Sequence, residues 1–81
     1  MTEAQLQNLN FNKVEHPPYL DDPGFYYYEY HIGSMELLSN TNDEAADFGW
    51  QVNIFEYDDI VFTDADDVHH LITLIEANLA K

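Results

Sequence analysis

Eighty-one residues carry sixteen carboxylates against two lysines and no arginine, for a formal charge of −14 at neutral pH. The length fits a single domain over residues 1–81, and the charge excludes attraction to free nucleic acid or to anionic lipid. With no cysteine in the chain, disulfide frameworks and thiolate metal sites are excluded as well.

High charge combined with few apolar groups would prevent collapse. Here apolar residues make up 46% and aromatics 15%, enough large rings to bury a small core. A folded domain with an acidic exterior is therefore expected. No apolar run reaches membrane-spanning length, and Met1-Thr2-Glu3-Ala4-Gln5 lacks the basic start of a secretion signal. The expectation is a soluble, cytoplasmic protein.

Residues 1–14 alternate loosely: Leu6 and Leu9 fit one short helical turn, or Phe11–Val14 begins a strand. The segment His16-Pro17-Pro18-Tyr19-Leu20-Asp21-Asp22-Pro23-Gly24 cannot continue a helix or a central strand. It reads as an extended loop ending in a turn at Asp22-Pro23-Gly24. Phe25–Ile32 is dense in aromatics, which favour a pleated surface. Tyr26, Tyr28, Tyr30 and Ile32 share one face of that strand; Phe25, Tyr27, Glu29 and His31 share the other. Gly33-Ser34 makes a tight connection to a short strand, Met35–Ser39, and Asn40–Asp47 reads as a loop with room for one helical turn.

Trp50–Glu56 alternates, with Trp50, Val52 and Ile54 inward and Gln51 and Asn53 outward. Tyr57-Asp58-Asp59 turns the chain into a last strand, Ile60–Phe62. Thr63-Asp64-Ala65-Asp66 matches a capping box with Thr63 as the cap, and its aspartates suit the positive end of a helix. Val68, Leu71, Ile72, Ile75 and Leu79 then recur at helical spacing, with Lys81 at the negative end. The expected fold class is α+β: an antiparallel sheet of about four strands with a C-terminal amphipathic helix packed on one face.

Enzyme chemistry is not expected. Ser34 and Ser39 stand in no nucleophile motif, no glycine-rich loop cradles phosphate, and no cation is placed to hold an anionic transition state. No catalytic, cofactor-binding or metal-ligating residue is assigned, and no small-molecule substrate. His69 and His70 are adjacent, so on a helix they point about 100° apart and cannot chelate one ion as an i, i+4 pair would. Asp66 and His70 have that spacing but read as an exposed acid–histidine pair, and His31 reads as a packed or half-buried ring among tyrosines. Asn40–Glu44 and Asp64–Asp67 offer oxygen ligands for a hard cation, yet lack the glycine and distal glutamate of an EF-hand loop. Tyr26, Tyr28 and Tyr30 read mainly as core, and as a protein-binding face if exposed.

Soluble domains usually mix both signs of charge on their surface, and a one-sided balance destabilises the compact state by self-repulsion. Alternate strand residues lie about 6.6 Å apart and i, i+4 helix residues about 6 Å. Successive phosphates along a wound DNA strand are separated by roughly twice their 3.4 Å rise. Carboxylates on ordered elements can therefore copy phosphate spacing, and the partner expected is a basic nucleic-acid-binding protein.

In size, acidity, absence of cysteine and α+β pattern, the chain resembles small acidic phage proteins that mimic DNA, such as uracil-DNA glycosylase inhibitors and some anti-CRISPR proteins. The resemblance implies an inhibitor, in the host cytoplasm if phage-encoded, that blocks the nucleic-acid site of a uracil-DNA glycosylase, a CRISPR effector or a nuclease. In the glycosylase inhibitors an acidic edge strand enters the DNA cleft, and an apolar pocket between sheet and helix holds an enzyme side chain. The counterparts implied here are Glu36 beside Ser34-Met35, and a pocket wall of Val68, Leu71 and Ile72. The Glu-Ser strand signature of those inhibitors has no match in this chain.

The expected partner-binding residues are Asp58, Asp59, Asp64, Asp66 and Asp67 around the last turn and helix start, Asp43, Glu44 and Asp47 from the long loop, and Glu36. Two alternatives stand beside this reading. One is an acidic interaction module, such as a toxin-immunity or phage accessory protein; the other is adaptation to high internal salt.

Overall fold

Thr2 opens the first ordered element: its side chain accepts from the Gln5 amide while the Gln5 side chain accepts from the Thr2 amide, a reciprocal cap. The structure, a computed structural model, describes residues 1–80; the expectation for Lys81 lies outside them. In chain order the elements are α1 (Glu3–Asn8), β1 (Asn12–His16), β2 (Phe25–Ile32), β3 (Met35–Ser39), α2 (Asn42–Phe48), β4 (Val52–Ile54), β5 (Tyr57–Phe62) and α3 (Ala65–Ala77). The strands form one antiparallel sheet in the order β1-β2-β3-β4-β5.

The fold class is the expected α+β, with five strands where about four were expected. The extra strand is β1, because the two readings of residues 1–14 are both realised: Leu6 sits in a helix and Val14 in a strand. β1 has little apolar alternation. Lys13 and Glu15 face the same side as Tyr28 and Tyr26, so backbone pairing holds this strand in place rather than burial.

Further boundaries differ from the sequence reading, among them β4, which covers only Val52–Ile54 of the expected Trp50–Glu56. The loop after β3 contains a full helix, α2, started by a second capping box in which Thr41 accepts from the Glu44 amide and Glu44 accepts from the Thr41 amide. The turn before the last strand falls at Phe55-Glu56, where Glu56 adopts φ +72°, and β5 begins at Tyr57. The cap of α3 is Asp64, whose Oδ1 accepts from the Asp66 amide at 2.8 Å, and Thr63 has no part in it. An aspartate oxygen can reach two residues ahead, so the sequence offered two competing caps.

Leu6, Phe11, Tyr28, Ile32, Leu37, Val52, Val68 and Ile72 form the buried core. The strand members lie on one sheet face, so α1 and α3 cover that side through Leu6, Val68 and Ile72. Tyr28 is 1% exposed and completes the attachment of α1: its hydroxyl donates to Glu3 Oε2 at 2.6 Å and accepts from Gln7 at 3.1 Å. The Tyr26 hydroxyl donates to the other Glu3 oxygen at 3.2 Å. The tyrosine face read as core is therefore core. Leu79 is an exception on the helix side, lying beyond α3 and 44% exposed.

The opposite sheet face carries Val14, His16, Phe25, Tyr27, Glu29, His31, Glu36 and Leu38, and no core residue points that way. His16 stacks on Phe25 there, with ring centroids 4.5 Å apart.

Candidate functional site

Capping geometry divides the predicted acids. Asp64 holds the first turn of α3, and Glu44 Oε1 accepts from both the amide and the hydroxyl of Thr41 at 3.1 Å. These two carboxylates serve their own helices. Asp66 and Asp67 follow in the first turn of α3 and Asp43 in that of α2, where the positive helix end favours negative charge. Asp47 sits in the second turn of α2 with no such support. Asp43, Glu44, Asp47, Asp64, Asp66 and Asp67 are all exposed. The two segments considered for a hard cation, Asn40–Glu44 and Asp64–Asp67, each contain a helix cap, made by Thr41 with Glu44 and by Asp64.

Sheet register decides which of these acids meet. Ser39, Val52 and Phe62 lie side by side across β3, β4 and β5, so α2 and the start of α3 leave the sheet from the same end. The Met1 amino group ties that end together, donating to the Thr63 carbonyl at 2.9 Å and the Trp50 carbonyl at 3.4 Å. Asp43 and Asp47 therefore share an end with Asp64, Asp66 and Asp67.

Asp58 and Asp59 do not belong to it. Tyr57 pairs with Ile54 and Val61 with Asn53, which leaves Asp58, Asp59 and Ile60 as a bulge with no opposing residues on β4. The bulge lies on an edge strand and all three residues are exposed. Asp64 lies five positions after Asp59 along an extended segment, roughly 16 Å at about 3.3 Å per residue. The group expected around the last turn and helix start is thus two displays: an edge bulge and a sheet end. A charged bulge also guards an open edge against pairing with another chain.

Glu36 is set apart from the sheet end that carries α2 and the start of α3; its carbonyl accepts from the Phe55 amide at 2.8 Å, beside the turn into β5. It lies on the uncovered sheet face, opposite His31 in the β2–β3 register. His31 was expected to be a packed or half-buried ring among the tyrosines; its side chain is 55% exposed and lies on this face, because Tyr26, Tyr28 and Tyr30 all point to the other side. Its Nε2 lies 3.5 Å from Glu29 and 3.7 Å from Glu36. The sequence reading missed this convergence, although Gly33-Ser34 as a two-residue turn already sets His31 opposite Glu36.

The apolar wall of Val68, Leu71 and Ile72 is not an open pocket. Val68 is fully buried, Ile72 is 5% exposed, and both pack in the core. The cleft beside them, about 210 Å³, is mostly polar: Asn8, Asn10, Tyr30, His69, Thr73 and Glu76 line it with Leu9 and Ile72. The Tyr30 hydroxyl is held above its usual pKa first by burial and then by the nearby Glu76 charge.

Ion pairing is sparse. Among the described residues, the pairs are Lys13–Glu15 at 3.3 Å and the two contacts of His31. Among the described residues, none of the carboxylates at the sheet end or in the edge bulge has a cationic side-chain partner. No protein-family model, curated protein or solved structure matches this chain. Among the described residues, no helix is long and apolar enough to cross a membrane.

Proposed function

We propose that the protein is an inhibitor that occupies the nucleic-acid site of a basic enzyme, such as a uracil-DNA glycosylase, a CRISPR effector or a nuclease. The observation that carries this reading is the sheet end, where Asp43, Asp47, Asp66 and Asp67 stand exposed on two capped helices with no cationic side chain among the described residues paired to them. Capping explains Asp64 and Glu44; it does not explain the rest. Ordered carboxylates of this kind steer rapidly onto a basic cleft and bind more weakly as salt rises.

The test leaves both caps intact. Immobilised wild-type protein is used to capture partners from a bacterial lysate, and bound protein is then released with duplex DNA. A DNA-processing enzyme displaced by DNA is expected, together with loss of that capture in the D43N/D47N/D66N/D67N variant. Undiminished capture by that variant at physiological salt overturns the assignment to the sheet end. The D58N/D59N variant then reports whether the edge bulge carries it instead.

The uncovered sheet face favours a second reading, an acidic protein-interaction module. Phe25 and Tyr27 are half-buried there, and Val61 is 47% exposed. A captured partner indifferent to DNA, such as a toxin, supports that reading against the first.

A further inference from the structure

The β2–β3 hairpin gathers three metal-ligating side chains on the uncovered sheet face. Glu29 and His31 are two residues apart on β2 and so project on the same side. Gly33, at φ +59° and first in a two-residue turn, fixes the register that sets Glu36 directly across from His31. One ligand atom from each of Glu29, His31 and Glu36 lies within 4.8 Å of the other two.

The distances separate two explanations. A hydrogen bond from an imidazole N–H to a carboxylate spans about 2.7–3.2 Å, and the contacts of His31 Nε2 with Glu29 and Glu36, at 3.5 and 3.7 Å, are longer than that. Zinc–nitrogen and zinc–oxygen bonds of about 2.0–2.2 Å in a tetrahedral shell place neighbouring ligand atoms roughly 3.3–3.6 Å apart. The His31 contacts lie close to the edges of such a shell, one at 3.5 Å within the range and one at 3.7 Å just beyond it. The two carboxylates lie within 4.8 Å of each other, and their side chains are partly exposed, at 26% and 30%.

Charge points the same way. Two carboxylates converge on one imidazole in a chain of formal charge −14. Lys13 offers no relief, because it lies on the opposite face, 4.1 Å above the Tyr26 ring. We propose that Glu29, His31 and Glu36 bind a divalent transition ion of the zinc type. Imidazole nitrogen with two carboxylates suits such an ion, whereas calcium and magnesium take oxygen shells. Three protein ligands leave a fourth position open to water or to a side chain from a partner. The site does not depend on the inhibitor reading.

The test titrates ZnCl₂ into the protein, following heat by calorimetry and the imidazole signals by NMR, with CaCl₂ as the control ion. One saturable Zn²⁺ per chain is expected, perturbing the His31 ring first and leaving His16, His69 and His70 in place. H31A and E36Q are each expected to weaken binding by about tenfold or more, while H70A leaves it unchanged. CoCl₂ is expected to give a visible absorption band that ZnCl₂ abolishes. The proposal is overturned by absence of saturable binding, by perturbation of another histidine instead, by equal affinity for Ca²⁺, or by H31A binding like wild type. The wild-type NMR titration decides the matter even if a variant folds poorly.

Discussion

Tyr28 shows how one side chain serves two levels of the structure. Its ring is core, and its hydroxyl joins β2 to the Glu3 carboxylate of α1. Burial comes first in raising its pKa above 10.0, with the hydrogen bond to Glu3 adding to it and that from Gln7 opposing it. Burial and the Glu3 charge raise Tyr26 in the same direction. A folded-state pKa above the unfolded value means that the protonated phenol contributes stability in full below the unfolded pKa, near 10.0. That contribution disappears as pH climbs through the raised folded value. Unfolding is therefore expected to set in above pH 10, with phenolate absorbance near 295 nm and loss of circular dichroism rising together. Y28F removes the hydrogen bonds and is expected to lower stability by about 1 kcal/mol at neutral pH. Tyrosines that ionise freely in a chain still fully folded would contradict this account.

Helix starts are the elements on which the sequence reading and the structure disagree most usefully. Thr63 and Asp64 both qualify as caps by residue type, and the structure chooses Asp64. Thr63 instead presents its carbonyl to the Met1 amino group. D64A is expected to destabilise the fold by about 1 kcal/mol, and T63A by much less, since the backbone carbonyl survives the substitution. Chemical denaturation of the two variants decides it; equal losses would mean that Thr63 shares the cap. α2 repeats the theme at the residues read as loop. Thr41 and Glu44 form the reciprocal cap that Thr63 was expected to form. The signal was present at Thr41-x-x-Glu44, but no apolar periodicity follows it, for α2 buries no residue completely.

At the scale of the molecule, charge works against compaction. Sixteen carboxylates face two lysines, and the described ion pairs engage few of them. Screening should relieve the repulsion, since the Debye length falls from about 30 Å at 0.01 M salt to about 10 Å at 0.1 M. The melting temperature is expected to rise with added NaCl, by about 4–8 °C for each kcal/mol of repulsion screened in a domain of this size. Scanning calorimetry between those two salt concentrations reads this directly. A flat response would mean that the acids stand too far apart to act as a field, which would also weaken the inhibitor reading.

Sequence by itself determined the α+β class, the bounds of β2 and β3, and the tyrosine face that packs inward, because strand period and aromatic density are local properties. It also marked the apolar stripe of α3 through Val68 and Ile72. Only tertiary structure decided the role of β1, whose residues are mostly exposed and whose place depends on pairing with β2. It likewise decided how the acids are grouped. Asp59 and Asp64 are near in sequence, yet a strand holds them apart, while antiparallel register brings α2 round to the start of α3. His31 shows the limit most plainly: it follows Tyr28 and Tyr30 along the chain, but the pleat turns it away from them and the hairpin register delivers Glu36.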